Sequence, residues 1–342
     1  MLTRQRAVRF GVSIGLAVVL LVLFLRNLDF AAVGSAIRHA HAGWLLAAVT
    51  AGLVATPPIR SWRWGRLLKG QTASAWQLNS ATAIGFAAST LLPARAGEIV
   101  RPVALSRSAG LPLAPCLVSI ALERLIDLLT TIVLFVVYAI GWAPSVLTGD
   151  EASRFALLRR SAFLLGAGTL VGVGLLTVFA TRPDFARRLA APVLRLLPDR
   201  FAMRLGTVLD SLLSGLAALR SPRDAAIVAA QSALLWLVIC FQIWSTLKAF
   251  DLALPFPVSF FVLTWAVLGL AIPTPGGVGG YHAAVAYALA GFYAVPKNTA
   301  AALALTSHVI SFAPITVLGL VFLVAGGFSL KTLSEAPARN GS

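Results

Sequence analysis

The sequence predicts an all-α polytopic membrane protein: about six spanning helices plus two oppositely oriented re-entrant hairpins, in an inverted-repeat architecture. Three observations predict it: scarce charge, apolar runs of spanning length, and two such runs interrupted by proline and glycine. Charged residues make up 12% of the 342 residues and hydrophobic residues 58%, whereas soluble domains carry about 25% charged residues. We expect one transmembrane domain over 1–342, with approximate halves 1–180 and 181–330 and a polar tail at 331–342.

Six apolar stretches are predicted to cross the membrane, because a spanning helix needs about 20 predominantly apolar residues. They are 8–25, 44–59, 113–140, 155–180, 224–248 and 299–326. Between 182 and 223, arginines alternate with leucines at helical spacing. That pattern predicts one or two amphipathic helices lying on the membrane surface.

Two further apolar runs are interrupted at corresponding places in the two halves. The first break is Leu92-Pro93-Ala94-Arg95-Ala96-Gly97-Glu98, and the second is Pro273-Thr274-Pro275-Gly276-Gly277-Val278-Gly279-Gly280. Proline removes a backbone donor, and glycine opens conformations that other residues avoid. In lipid, backbone groups freed in this way need partners inside the protein or in a water-filled cavity. Two broken helices in corresponding positions indicate the substrate site of a transporter-like fold.

The charge distribution predicts the orientation. The net charge of +16 comes mostly from arginines in short loops, which favours membrane topology and anionic lipid as the explanation rather than nucleic acid. The positive-inside rule places the N-terminus and the segments 60–69 and 182–223 in the cytoplasm. In 60–69 the basic residues are interleaved with Trp62 and Trp64, which predicts an anchor on the membrane surface at the depth of the lipid headgroups. The number of spans between these segments is consistent only if 76–106 enters and leaves the membrane from the cytoplasm and 256–293 does so from outside. Both termini are then cytoplasmic.

The candidate substrate-binding residues of the first half are all charged: Arg95, Glu98, Arg101, Glu123, Arg124 and Asp127. Charges at membrane depth are costly and usually face each other or a cavity. Glu123 and Asp127 are four residues apart and share one helix face. Arg95 precedes a helix and could meet a phosphate held at that helix N-terminus. A structural ion-pair network inside the membrane is the alternative reading, and both stay open.

The candidate residues of the second half surround the glycine-rich break: Pro273, Pro275, Gly276, Gly277, Gly279, His282 and His308. The N–H groups of such a turn can hold an anion without any charged side chain. A lone histidine on an apolar face is usually a packing residue, so a functional and a packing role both stay open for the two histidines. The sequence predicts no catalytic residue, no metal site and no cofactor, because it offers no ligand cluster or nucleophile set.

These motifs resemble those of the flippase-like, lysylphosphatidylglycerol synthase transmembrane-region family. The resemblance covers nearly the whole chain and rests on four segments: Arg60-Ser61-Trp62-Arg63-Trp64, 92–98 with Arg101, Glu123-Arg124-Leu125-Ile126-Asp127, and 273–279. It implies a multi-pass protein of the bacterial inner membrane. The activity usually inferred for the family is translocation of a lipid or polyprenyl-linked headgroup. The family usually has a glutamate where this chain has His282, and often an arginine where it has His308.

The functional prediction is therefore a translocase (flippase) or carrier of a phospholipid or polyprenyl-linked headgroup, and not an enzyme. Its expected partners are a phospholipid or a lipid-linked glycan and the membrane, with no nucleic acid. Two alternatives stay open: a non-catalytic membrane subunit of an envelope lipid or glycan assembly system, and a membrane-embedded lipid transferase.

Overall fold

The computed structural model describes residues 2–68, 70–92, 96–143 and 150–326, and every regular element in these ranges is helical. The α-helices of the described residues are α1 (Leu2–Leu25), α2 (Phe30–His39), α3 (Ala42–Thr50), α4 (Thr56–Leu67), α5 (Ala75–Leu91), α6 (Gly97–Ala109), α7 (Leu113–Gly141), α8 (Asp150–Thr181), α9 (Pro183–Arg195), α10 (Asp199–Leu216), α11 (Pro222–Ala249), α12 (Val258–Ala271), α13 (Gly280–Tyr293) and α14 (Lys297–Ala325). One π-helical turn, Ala51–Ala55, joins α3 to α4 without a break.

Five helical stretches of the described chain are long and apolar enough to cross a membrane: Ala42–Leu67, Phe155–Thr181, Asp199–Leu219, Pro222–Ala249 and Lys297–Ala325. A sixth is reached when Phe10–Leu25 and Phe30–His39, bent by 87°, are counted as one span. The predicted class, an all-α polytopic membrane protein, is thereby confirmed.

Two segments differ in detail from the predicted spans. The stretch Asp199–Leu219 was expected to lie on the membrane surface, but it meets the length and apolarity of a span. Its arginines stand in the first turns, so the rest of the segment is mostly apolar. By contrast α7, which was predicted to span, is not among the five stretches although it is one continuous helix of 29 residues.

Both predicted breaks separate two helices that pack closely against each other. In the first pair, α5 and α6, a Cβ on Gly97 would collide with the carbonyl oxygen of Gly85. In the second pair, α12 and α13, a Cβ on Gly280 would lie 2.6 Å from the carbonyl oxygen of Gly269. Each pair is therefore a helical hairpin in which backbone touches backbone, which only glycine permits.

The long helix that follows each hairpin packs on the other hairpin. Helix α7 follows the first hairpin and packs on α12, whereas α14 follows the second hairpin and packs on α5. The end of α5 meets the tip of the second hairpin, because a Cβ on Gly276 would lie 3.3 Å from the carbonyl oxygen of Thr90. Helix α1 supports the second tip, where Ser13 Oγ donates a hydrogen bond of 2.5 Å to the carbonyl oxygen of Pro273. The re-entrant course of the hairpins and the inverted repeat stay predictions.

Candidate functional site

Two arginines of α4 point into the protein rather than toward the membrane surface. They are three residues apart and so share one helix face. The side chain of Arg60 is 5% exposed and that of Arg63 is fully buried. On the same face, Trp64 Nε1 donates a hydrogen bond of 2.8 Å to Ser119 Oγ of α7. Helix α4 thus brings two positive charges against α7.

Helix α7 supplies the opposite charges. Glu123 and Asp127 are four residues apart and both are buried. Arg60 Nη1 lies 3.2 Å from Glu123 Oε1 and 3.3 Å from Asp127 Oδ2. Arg63 Nη2 lies 2.7 Å from Asp127 Oδ1. A pair of carboxylates on one helix face therefore binds a pair of arginines on another.

Two more arginines complete the contacts of Glu123. Arg101 of α6 is buried, and its Nη1 donates to Glu123 Oε1 at 2.6 Å. Its guanidinium carbon also lies 4.1 Å from the centre of the Trp64 ring, a cation–π contact. Arg124 Nη2 donates to the same oxygen at 2.8 Å, and 39% of this side chain is exposed. Arg124 is thus the member of the group whose side chain reaches the protein surface.

Helix α11 closes the group with polar side chains. Ser232 Oγ accepts a hydrogen bond of 3.0 Å from Arg63 Nη1. Trp236 Nε1 donates to Asp127 Oδ1 at 3.0 Å. Gln231, one residue before Ser232, is 2% exposed, and neither atom of its amide has a hydrogen-bond partner. Side chains of four helices therefore meet at one buried polar centre.

We call this group the arginine cluster; its members are Arg60, Arg63, Arg101, Glu123, Arg124 and Asp127. Four guanidinium groups face two carboxylates, so the cluster carries two uncompensated positive charges. Glu98 is half-buried and interacts electrostatically with Arg124, which leaves an excess of one charge when it is included. Several buried polar atoms also lack a hydrogen-bond partner, namely Arg60 Nε, Arg101 Nε, Arg101 Nη2, Arg124 Nε and Glu123 Oε2.

The structure brings most of the predicted first-half residues together. Arg101, Glu123, Arg124 and Asp127 touch one another, and Glu98 lies beside them. Arg95 and Pro93 lie outside the described residues. Sequence reasoning missed Arg60 and Arg63, which were assigned to the cytoplasmic membrane surface. Their spacing of three residues places them on one helix face, but no local pattern in the sequence shows that this face is buried.

The second predicted group lies at the tip of the second hairpin. Pro275, Gly276 and Gly277 form a 3₁₀ turn. Gly276, Gly277 and Gly279 all have φ between 59° and 84°, where side chains are strained. The N–H groups of Gly277 and Val278 donate to carbonyl oxygens within the turn, each at 3.1 Å. That of Gly279 donates to His282 Nδ1. These three N–H groups, which were expected to face an anion, have partners inside the protein.

The two histidines lie side by side. Their ring centres are 4.5 Å apart, and His308 Nε2 lies 2.8 Å from the carbonyl oxygen of Gly276. Each ring has its own backbone partner, and Phe24 and Phe312 stack against His282 and His308 respectively. Their participation in substrate binding stays a prediction.

Two surface cavities lie outside the arginine cluster. One, of about 700 Å³, is lined by residues that include His41, Trp44, Lys248 and Asp251 at the far end of α11. The other, of about 400 Å³, lies between α4 and α5, with Ser61, Trp62 and Arg66 in its wall. The second cavity borders the helix that carries Arg60 and Arg63, whereas the cluster itself is closed except at Arg124.

The comparisons with known proteins identify the family of this chain. Residues 8–319 match the family described as the lysylphosphatidylglycerol synthase TM region. The chain belongs to this family. Over 316 residues it is 27% identical to the glycosyltransferase AglD of Haloferax volcanii, an alignment that covers 86% of this chain and 51% of the relative. The chain thus spans about half the length of the curated relative that it matches. No solved structure matches it.

These findings confirm the predicted family and correct one expectation. The chain is a multi-pass membrane protein of the lysylphosphatidylglycerol synthase TM-region family. The prediction that it is not an enzyme is wrong on this comparison, because the relative carries the name of a glycosyltransferase. The sequence argument had relied on the lack of a recognisable catalytic motif, and that lack does not exclude an enzyme.

The substitution Glu123→Gln tests whether the cluster holds the fold together. It removes the charge that Arg60, Arg101 and Arg124 share, so we expect a loss of about 3–5 kcal/mol in the free energy of unfolding. Circular dichroism monitors the unfolding of the protein in detergent micelles. The matched control is Asp251→Asn, which removes the exposed contact with His41 at the end of α11 and should change stability little, because water screens such pairs. Equal effects of the two substitutions would contradict this account.

Proposed function

We propose that this protein carries the headgroup of a phospholipid or a polyprenyl-linked sugar across the membrane, and that the arginine cluster holds the lipid phosphate. The observation that carries the proposal is the excess of buried guanidinium groups over carboxylates. An uncompensated charge is expensive in a low-dielectric interior. A bound anion relieves that cost and would bring the cluster close to neutrality.

Phosphate fits the donors that the cluster leaves free. Guanidinium groups pair with phosphate oxygens through two parallel hydrogen bonds. Arg101 uses Nη1 for Glu123, and its Nε and Nη2 have no partner. Those two atoms form one edge of the guanidinium plane. Arg124 likewise keeps Nε free and is half-exposed. Arg101 would therefore bind the phosphate, and Arg124 would guide it in from the open side.

The hairpins supply the element that could move. Transporters often bind substrate between two broken helices near the middle of the bilayer. Thr90 contacts Gly276, and the long helix that follows each hairpin packs on the other hairpin. Both observations support an inverted repeat here. In this proposal the cavity between α4 and α5 is the entry for lipid from the cytoplasmic leaflet. The protein would lie in the inner membrane with both termini in the cytoplasm.

A second candidate function is the membrane part of a transferase that acts on a lipid-linked sugar. The similarity to the Haloferax volcanii glycosyltransferase favours it. The arginine cluster would then hold the phosphate of the lipid-linked substrate while a sugar is transferred. The two candidates share the phosphate site and differ in whether the headgroup changes chemically.

Reconstitution into proteoliposomes tests both candidates. Translocation of headgroup-labelled phosphatidylglycerol and of a labelled polyprenyl-phosphate sugar is measured. A reductant added outside the vesicles reacts only with labels on the outer face. Lipids are then extracted and analysed by mass spectrometry. A carrier exposes unchanged lipid on the second face, whereas a transferase yields a new lipid or a free headgroup. We expect accelerated translocation of the labelled lipid for the wild-type protein.

The substitution Arg101→Lys assigns that activity to the cluster. Lysine keeps the charge but loses the planar fork. We expect translocation to fall about tenfold or more, since a hydrogen bond to a charged group contributes about 1.5–3 kcal/mol. The matched control is Arg187→Lys, an exposed arginine paired with Asp184 and Asp210. The proposal fails if wild-type protein neither moves nor modifies either lipid, or if both substitutions act equally.

Cysteine labelling tests the proposed orientation. The native cysteines, Cys116 and Cys240, are both buried, so introduced cysteines dominate the signal. A membrane-impermeant maleimide applied to intact cells should not reach Gln71→Cys or Arg200→Cys, and should label both after permeabilisation. His41→Cys is the matched control and should react in intact cells, because His41 follows the first crossing in this orientation. Labelling of position 71 or 200 from outside would reject the orientation.

A further inference from the structure

His282 of the second hairpin and His308 of α14 use their ring nitrogens in opposite senses. His282 Nδ1 accepts a hydrogen bond from the N–H of Gly279 at 3.2 Å. Its lone pair is therefore occupied. His308 Nε2 lies 2.8 Å from the carbonyl oxygen of Gly276. A carbonyl oxygen only accepts, so Nε2 of His308 carries a proton, and in the neutral ring Nδ1 keeps its lone pair.

This difference decides which ring can take a second proton. A proton on His282 Nδ1 would face the N–H of Gly279 and break the bond that closes the first turn of α13. A proton on His308 Nδ1 leaves the bond to Gly276 intact and makes it charge-assisted. Nδ1 of His308 has no hydrogen-bond partner among the residues that the structure describes. His308 is also the less buried of the two residues.

Two aromatic rings lie against His308. Phe312 stacks on its ring at 4.6 Å between centres, and Tyr281 lies at 5.3 Å. Aromatic faces attract a positive charge. The hydroxyl of Tyr281 is hydrogen-bonded to Ser307 at 2.8 Å. The other described neighbours are uncharged: Phe24 stacks on His282, and Thr90 of α5 meets Gly276. Within the described chain, His282 and Tyr281 are the titratable groups whose rings contact His308.

The same tip lies close to the arginine cluster. Gly276 meets Thr90, and Thr90 follows Gly85 by five residues, or about 7.5 Å along α5. Gly85 in turn packs directly against the Cβ of Arg101. A charge on His308 and an anion on Arg101 would therefore be connected through α5, in an interior of low dielectric where charges interact over longer distances than in water.

We propose that His308 binds a proton at Nδ1 while His282 stays neutral, and that this proton strengthens binding of an anionic headgroup at the arginine cluster. The second half of this proposal rests on the proposed function of the cluster. Without a ligand, a further positive charge beside the arginines is disfavoured. With a phosphate bound it is favoured, so proton and headgroup promote each other's binding. By linkage the two effects are equal in size.

Nitrogen NMR of the protein in lipid nanodiscs tests the proton site without any transport assay. The sample carries ¹⁵N-histidine and the substitutions His39→Gln and His41→Gln, which leave two histidine signals; His282→Gln assigns them. Between pH 8 and 5 we expect His308 to pass from the Nε2–H form to the doubly protonated form. His282 should keep the neutral pattern. A neutral His308 throughout, or proton uptake by His282 instead, would overturn the proposal.

The coupling is tested with binding of phosphatidylglycerol, with phosphatidylcholine as the zwitterionic comparison, at pH 5.5 and 8. We expect phosphatidylglycerol to bind about fivefold more tightly at pH 5.5, the lower end of usual coupling between two sites. His308→Gln should abolish this ratio, whereas His282→Gln should keep it, since the glutamine amide oxygen can accept from Gly279. A ratio that survives His308→Gln would refute the coupling. Absence of binding at both pH values would reject the proposed function of the cluster, while the NMR result judges the proton site separately.

Discussion

The carboxylate of Glu123 is the contact on which the rest of the structure depends. One of its oxygens accepts hydrogen bonds from Arg60, Arg101 and Arg124, which come from α4, α6 and α7. Asp127, one turn further along α7, adds Arg63 and, through Trp236, helix α11. The first hairpin, the helix before it and the long helix after it are thus fixed to one another by a single buried centre.

Stability and function compete for the same groups in this arrangement. The carboxylates neutralise only part of the guanidinium charge, so the fold bears a residual cost of burying positive charge. That cost is a source of binding free energy for an anion that can enter. The cluster is closed in this conformation apart from Arg124, and entry therefore requires a change in packing at the hairpins. The glycine contacts between α5 and α6, and between α12 and α13, keep each hairpin rigid, which favours movement of hairpins as units.

Much of the fold and of the arginine cluster could be predicted from the sequence. The remainder depends on packing between helices that are distant in the sequence. Helical spacing was enough to place Glu123 and Asp127 on one face, and proline and glycine marked both hairpin tips. Arg60 and Arg63 were assigned to the membrane surface because they follow an apolar run beside Trp62. Their burial is imposed by α7 and α11, which no local pattern around α4 reveals. Likewise, the N–H groups of the second tip donate to partners within the turn and to His282. The glycine content of the tip alone had predicted that these N–H groups were free to bind an anion.

The central claim is that a lipid phosphate binds the guanidinium groups of the arginine cluster. Solid-state NMR with ¹³C-arginine protein in phosphatidylglycerol bilayers measures this directly, through dephasing of guanidinium carbon signals by ³¹P. The account predicts that one component of the dephased signal is lost in Arg101→Lys and kept in Arg187→Lys, since only the first substitution removes a cluster guanidinium. Dephasing that is unchanged by Arg101→Lys, and so comes from surface arginines alone, would contradict it.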